Sequence, residues 1–199
     1  MKKILITGAK GQDGFILSNI LAKKNYKVFG LINKNYKINN KKVKYYLIKK
    51  QKFKFIKKIL NKISPDTIIH LGSENPSHNQ KFTKKNYIKN LIFTKQLIDY
   101  VCEKNKIKFI LASSSSIYNK SKIKIKENSK TKVSSFYSKF RLEATNYLLK
   151  RKKIHRLNAS VIILFNHDSI YRGSRFLLPR LISLIKKRNY SEIKKIYKD

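Results

Sequence analysis

Residues 4–14 read ILITGAKGQDG and place three of the chain's six glycines, Gly8, Gly11 and Gly14, within seven residues. An apolar, β-branched run precedes the glycines, and residues 15–21, FILSNIL, follow with the apolar spacing of a helix. Glycines between a strand and a helix let the backbone approach a pyrophosphate, which then lies on the helix's free N–H groups and positive dipole end. An ordinary turn needs one glycine rather than three, so this stretch predicts a dinucleotide-binding fold.

Strand and helix patterns alternate along the rest of the chain, as is typical of βαβ units. We therefore expect an α/β fold with a doubly wound parallel sheet of the Rossmann type, covered on both faces. The predicted strands are 4–7, 27–32, 43–48, 67–71, 108–114 and 159–165, and the predicted helices are 13–24, 52–63, 87–104 and 134–152.

The composition is strongly basic, with a net charge of +38 over 199 residues. The basic residues are mostly lysines spread along the whole chain, and arginine, the better reader of phosphates and bases, is scarce before Arg141. We therefore expect non-specific adhesion to polyanions but no specific nucleic-acid partner. Residues 49–58, with Phe53 and Phe55 between lysines, favour a polyanion binder, but the apolar stripe of the same helix explains these aromatics as core.

The single cysteine, Cys102, excludes a disulfide framework and a cysteine metal cluster, and we expect it to be a buried structural thiol. No metal site is predicted. The chain has no apolar run of 18 residues and no secretory signal pattern, so we expect no membrane association and a cytoplasmic location.

The residues after the second predicted strand bear on the choice of cofactor. An NAD-binding protein usually places a carboxylate there to contact the adenosine ribose, whereas this chain has Lys34. A cation suits the 2′-phosphate of NADP, although in so basic a chain Lys34 is equally explained as a surface lysine. NADP is the predicted cofactor.

Tyr137 and Arg141 lie four residues apart in a predicted helix and therefore share one face. A cation beside a phenol stabilises the phenolate. Ser114, at a predicted strand end, is placed to hydrogen-bond a substrate carbonyl or hydroxyl. In a tyrosine-rich chain these residues alone do not identify an active site.

Several motifs together resemble the extended short-chain dehydrogenase/reductases of the NAD-dependent epimerase/dehydratase group, and in particular the GDP-mannose 4,6-dehydratase family. Residues 11–14, GQDG, resemble the distinctive opening of that family. Residues 164–169, LFNHDS, followed by Arg172 and Gly173, resemble its LFNHESPRRG segment. Residues 112–118, ASSSSIY, resemble its ASTSELY segment, and residues 71–73, LGS, resemble its LAA.

The resemblance implies an NADP-dependent protein that modifies a nucleotide sugar, with GDP-mannose as the expected substrate and a homo-oligomer as a possible assembly. It implies a catalytic set formed by Ser114, Tyr137 and Arg141. The implied cofactor-binding residues are Gly8, Gly11, Gln12, Asp13, Gly14, Lys34, Leu71, Gly72 and His167, and the implied substrate-binding residues are Asn166 and Arg172.

Two substitutions depart from the family pattern. Arg141 stands where the family has lysine, and Ser116 stands where it has the glutamate that removes the sugar C5 proton. Serine is no base without a partner, so the activity of this chain is doubtful. The alternative is a non-catalytic nucleotide-binding or subunit-interaction protein, a truncated or decayed homologue.

The length of the chain also departs from the family, whose members run well past 300 residues. We expect residues 1–165 to form the NAD(P)-binding Rossmann domain. Residues 166–199 would be only the start of a truncated substrate-binding region.

Overall fold

The computed structural model describes residues 1–33, 40–48, 52–77, 80–119 and 124–196. A six-stranded parallel sheet has the order β3-β2-β1-β4-β5-β6, so the chain reverses its direction of travel across the sheet after β3. This order confirms the predicted doubly wound α/β fold. The strands are β1 Lys3–Thr7, β2 Lys27–Ile32, β3 Val43–Leu47, β4 Thr67–His70, β5 Lys108–Ser114 and β6 Ala159–Leu164.

Within the described residues, six α-helices accompany the sheet. Their bounds are α1 Gln12–Lys23, α2 Phe53–Ile63, α3 Lys84–Lys104, α4 Phe136–His155, α5 Leu177–Lys186 and α6 Tyr190–Ile196. Both long helices begin with capping boxes that the sequence analysis did not use: Thr83 caps α3, and Ser135 caps α4. The α3 cap explains why this helix begins three residues earlier than predicted.

The two faces of the sheet carry separate apolar clusters. Leu5 of β1 belongs to the larger cluster, which α2, α3 and α4 cover, whereas its neighbours Ile4 and Ile6 belong to a smaller cluster covered by α1. This alternation follows from the two-residue period of a strand. The sheet is therefore covered on both faces, as predicted, but unequally.

The predicted apolar stripe of α2 is present, since Ile56, Ile59, Leu60 and Ile63 are all buried. The prediction that both neighbouring aromatics are core residues is wrong for one of them. Phe53 packs against the larger cluster, but Phe55 is 45% exposed.

Helices α5 and α6 were not predicted, and neither contains a buried residue. Several large apolar side chains of this C-terminal region lie on the surface, among them Ile170, which is 91% exposed. The proposed division between residues 1–165 and 166–199 remains a prediction.

Cys102 is only partly buried, so the expectation of a buried thiol is wrong. Its partial burial still raises the pKa of the thiol. Among the helices of the described residues, none is both long and apolar enough to cross a bilayer. The described residues also contain no cluster of three potential metal ligands from His, Cys, Asp and Glu.

Candidate cofactor and active site

The glycine loop after β1 is packed so closely that two of its glycines admit no side chain. Gly8 has φ +68°, and a Cβ on it would lie 2.6 Å from the Cα of Gly72 in the segment after β4. A Cβ on Gly14 would lie 2.3 Å from the Gly8 carbonyl oxygen. Gly8 and Gly14 are therefore required for packing and backbone conformation, whatever the loop binds.

Gly11 differs from both. Its backbone is extended, with φ −70° and ψ 165°, and it forms the N-cap of α1 without a side-chain hydrogen bond to the helix. An added Cβ would contact only the Gly8 carbonyl oxygen, at 3.3 Å. Gly11 thus leaves the N-terminus of α1 open, and this loop fits a pyrophosphate.

A buried chain of hydrogen bonds ties the end of β1 to β4 and α3. Thr94 Oγ1 donates to the Asn90 carbonyl (2.8 Å) and so must accept from His70 Nε2–H (2.9 Å). His70 Nδ1 is then the acceptor for the Thr7 hydroxyl (2.6 Å), and Thr7 Oγ1 accepts from the Gly72 N–H (2.9 Å). These hydrogen bonds hold the segment after β4, whose Gly72 packs against Gly8, next to the end of β1.

His70 can accept at Nδ1 and donate at Nε2 only as the neutral imidazole. Burial, together with the nearby charge of Arg141, lowers the pKa of His70 from 6.5 to about 3. The sequence analysis did not assign His70 a role. The available signal was a histidine at a strand end. The pairing of β1 with β4 places it beside Thr7, and the packing of α3 places it beside Thr94.

Most of the side chains predicted to carry chemistry line one cleft at the carboxyl ends of the strands. Lys34 lies outside the described residues. The other predicted cofactor-binding residues do not line this cleft and lie in the turn after β1, at the start of α1 or after β4. They are Gly8, Gly11, Gln12, Gly14 and Gly72. The predicted residues that line it are Asp13, Leu71, Ser114, Tyr137, Arg141, Asn166, His167 and Arg172.

Ser114 ends β5 and begins a short 3₁₀ turn, Ser115–Ile117. Its Oγ accepts a hydrogen bond from the Ser116 N–H (3.2 Å), which leaves the hydroxyl hydrogen of Ser114 able to donate. Tyr137 lies in the first turn of α4, and its ring packs edge-on against Phe82 at 5.4 Å. The two hydroxyl-bearing residues therefore reach the cleft from separate elements, β5 and α4.

Arg141 is only 6% exposed. Its Nη1 donates to the Ala112 carbonyl (2.8 Å), and its Nη2 donates to Ser73 Oγ (2.5 Å) and Asn75 Oδ1 (3.1 Å). The guanidinium carbon lies 5.1 Å from the centre of the Tyr137 ring, as expected for residues four apart on one helix. This group is thus a fixed cation against the ring face.

Ser116 is not among the residues that line the cleft. Its hydroxyl is buried and has no hydrogen-bond partner within the described residues. Glu74 also lies outside the lining, and its carboxylate contacts Asn86 and Lys89 of α3. Neither residue is therefore placed to take a proton from a ligand in the cleft.

Asp13 and His167 pair across the mouth of the cleft. His167 Nε2 lies 2.8 Å from Asp13 Oδ1, and its Nδ1 lies 2.7 Å from the Phe165 carbonyl oxygen. Since both ring nitrogens face acceptors, these contacts raise the pKa of His167. Gln12 also donates to Asp13 (3.2 Å).

Arg172 lies in the loop after β6, where its guanidinium stacks 3.8 Å from the Phe176 ring centre and pairs with Asp168 at 3.5 Å. Among the described residues that line the cleft, the two arginines, Arg141 and Arg172, outnumber the one carboxylate, Asp13, and this excess of positive charge suits an anionic ligand. Asn166 lines the same cleft, and its role as a substrate-binding residue remains a prediction.

The sequence analysis missed Ser73 and Asn75 as site residues. Both follow β4, the strand beside β1, at the edge where a ligand crevice is expected. Two polar residues at that position were the available signal. Their pairing with Arg141, which follows Ser73 by 68 residues and Asn75 by 66, could not be predicted from the sequence.

Comparison with known proteins agrees with this architecture. A profile of the GDP-mannose 4,6 dehydratase family matches residues 5–198. The GDP-mannose 4,6 dehydratases of Cricetulus griseus and Homo sapiens are each 29% identical to the chain, in alignments that cover 90% and 89% of it. The same alignments cover 54% and 53% of the relatives, so the chain spans about half the length of the curated relatives it matches.

Solved structures of similar fold include a dTDP-glucose 4,6-dehydratase from Bacillus anthracis in complex with NAD. Its TM-score is 0.80 at 18% identity, over 94% of this chain and 62% of that one. A UDP-glucuronic acid 4-epimerase from Bacillus cereus, in complex with UDP-glucuronic acid and NAD, has a TM-score of 0.79 at 21% identity, over 93% and 63%. At these identities the structures establish the fold alone, but the profile match covers nearly the whole chain, which therefore belongs to the GDP-mannose 4,6-dehydratase family.

Proposed function

We propose that this chain is a dinucleotide-binding protein of the GDP-mannose 4,6-dehydratase type, which takes NADP and a nucleotide sugar. The observation that carries the proposal is the cleft itself. An uncapped helix N-terminus at Gly11 and the side chains of Ser114 and Tyr137 belong to the same end of one parallel sheet. A dinucleotide and a sugar need these two features side by side.

The proposed roles of the chain's residues follow from their placement. The loop at Gly11 would hold the pyrophosphate, and NADP, when bound, would supply a hydride acceptor and donor. Tyr137 would receive the proton of the sugar C4 hydroxyl, while Ser114 would donate a hydrogen bond to the same oxygen. Asn166 and Arg172 would contact the nucleotide sugar near its diphosphate, where the positive charge of the cleft favours binding.

NADP rather than NAD is proposed because no carboxylate follows β2. The strand ends at Ile32, and the next residues are Asn33 and Lys34. An acidic residue there would favour the ribose hydroxyl of NAD and repel a 2′-phosphate. Calorimetric titration with both cofactors tests this choice, and binding of NAD as tight as NADP would overturn it.

Elimination of water from the sugar needs a base at C5, and the cleft offers little for that task. Among the described residues that line it, Asp13 carries the only carboxylate, and that carboxylate is engaged by His167. The second candidate function is nucleotide binding without completion of the dehydration. The observation that favours it is the hydroxyl of Ser116, which is buried and has no hydrogen-bond partner within the described residues.

One experiment separates the two functions. The chain is incubated with NADP and GDP-mannose, and the 4-keto-6-deoxy sugar is measured by mass spectrometry. Formation of this product at many turnovers per chain supports the dehydratase. Tight NADP binding without product supports the binding protein, and the absence of both NADP binding and product overturns the proposal.

A further inference from the structure

The position of Arg141 in the cleft is unusual for a cation. Only 6% of this residue is exposed. Within the described residues, no ion pair joins Arg141 to a carboxylate. Burying a charge without a counter-charge is costly unless its donors are satisfied by hydrogen bonds. The neutral acceptors around Arg141 must therefore account for its placement.

Three acceptors from two parts of the chain meet the two terminal nitrogens. The Ala112 carbonyl belongs to β5, whereas Ser73 Oγ and Asn75 Oδ1 belong to the segment after β4. One acceptor lies on Nη1 and two lie on Nη2, an arrangement that matches a planar fork. A lysine presents a single nitrogen on a shorter stem and cannot occupy both positions.

Among the residues that the structure describes, two of the five N–H groups of the guanidinium have no acceptor, one on Nη1 and the one on Nε. Arg141 Nε is buried and has no hydrogen-bond partner within the described residues, and Arg141 lines the cleft. A buried N–H without an acceptor destabilises the protein, so the hydrogen bonds to the two terminal nitrogens must offset this cost. The fixed orientation of Nη1 and Nη2 determines where the Nε donor lies.

We infer that Ser73 and Asn75 are positioning residues that orient the Arg141 guanidinium as a fixed cation beside Tyr137 in the wall of the cleft. The arginine is thus a matched replacement for a lysine rather than a damaged site. The inference rests on the proposed function, because the ligand used to measure it is NADP. It extends that function by naming the residues that act through Arg141.

A double-mutant cycle tests the coupling. Ser73→Ala with Asn75→Ala is expected to weaken NADP binding about tenfold when residue 141 is arginine, because two hydrogen bonds to a charged group are lost. In an Arg141→Lys background the same pair of changes is expected to alter the dissociation constant less than twofold. Equal losses in both backgrounds would overturn the inference, since the two residues would then act independently of the guanidinium.

A matched control retains the acceptor. Ser73→Thr keeps a hydroxyl at the same position, so in an Asn75→Ala background it should bind NADP more tightly than Ser73→Ala does. If Ser73→Thr and Ser73→Ala behave alike, the hydroxyl of Ser73 does not position Arg141. Thermal unfolding of each variant establishes that the protein measured is folded.

A cofactor-free readout separates this inference from the proposed function. In ¹H–¹⁵N NMR spectra, a fixed guanidinium gives separate Nη signals, whereas a rotating one gives an averaged signal. We expect separate Arg141 signals in the unaltered chain and averaged ones in Ser73→Ala with Asn75→Ala. Averaged signals in the unaltered chain would overturn the inference, whereas separate signals without any NADP binding would leave it standing and overturn the proposed function alone.

Discussion

The glycine loop and the surroundings of Tyr137 face one cleft, yet they tolerate change very differently. On the loop side, backbone atoms of Gly8, Gly14 and Gly72 lie too close together for any side chain. On the Tyr137 side, two of the three hydrogen bonds of Arg141 go to side chains, those of Ser73 and Asn75, which can be exchanged one at a time. Substitutions around Tyr137 should therefore disturb the fold less than substitutions in the glycine loop.

The largest effect is expected where the loop side is tightest. Gly14→Ala would place a Cβ 2.3 Å from the Gly8 carbonyl oxygen, so we expect it to lower the free energy of unfolding by about 3 kcal/mol or more. Urea denaturation measures this loss. Gly173→Ala is the matched control, because nothing lies within 4 Å of the added atom, and it should change stability by less than about 0.5 kcal/mol. Similar stabilities for both variants would contradict the packing described here.

A smaller effect concerns the buried histidine behind the loop. His70 has its pKa lowered to about 3, below the unfolded value of 6.5, so the unfolded chain binds a proton that the folded one does not. Stability is then complete above about pH 6.5 and declines as the pH falls towards 3, by on the order of a few kcal/mol. Denaturation between pH 7 and pH 4 checks this sign. A His70→Asn variant should lose much of this pH dependence, and an unchanged profile would count against a buried neutral His70.

On the opposite side of the cleft, restoring the family's residues should return little activity. The hydroxyl oxygen of Ser116 is buried and this residue does not line the cleft, so we expect Ser116→Glu not to present its carboxylate to the sugar. We expect this variant, alone or with Arg141→Lys, to form dehydrated sugar at less than about one hundredth of the rate of a complete relative, since a lost general base typically costs 10²–10⁴. Product measured by mass spectrometry at a relative's rate would show that the substitutions alone had silenced the site.

The smallest effect is expected at the mouth of the cleft. The Asp13–His167 pair is partly exposed, and such pairs contribute between about 0 and 1 kcal/mol. Because the pKa of His167 is raised, this contribution is present at low pH and is lost as the pH rises through the folded pKa, opposite in sign to the effect of His70. His167→Gln should therefore barely change stability at pH 8. A large loss there would contradict the charge assignment.

The loop side could be predicted from the sequence because its signal is local. Gly8, Gly11 and Gly14 lie within seven residues, between the end of β1 and the first turn of α1. The alternation of strands and helices predicted the sheet around them. The sequence did not distinguish their roles: only Gly8 has a positive φ, and Gly11 alone keeps the helix end open.

The Tyr137 side could be predicted only in part, because its contacts join residues far apart in the chain. Tyr137 and Arg141 share a helix and were recognisable as a pair. Ser73 and Asn75 reach Arg141 only after β4 and β5 pair, and His70 meets Thr7 only after β1 and β4 pair. Helices α5 and α6 were missed because the motifs used for this region ended at Gly173.

Titration of NADP into the unaltered chain and into Gly11→Val tests the central claim most directly. A branched side chain at Gly11 would occupy the open end of α1, and the one atom near its Cβ, the Gly8 oxygen at 3.3 Å, would have to shift only slightly. We predict saturable binding of NADP by the unaltered chain and none by Gly11→Val, with both proteins folded by circular dichroism. Equal binding by the two proteins, or none by the unaltered chain, would contradict the assignment of the glycine loop as the dinucleotide site.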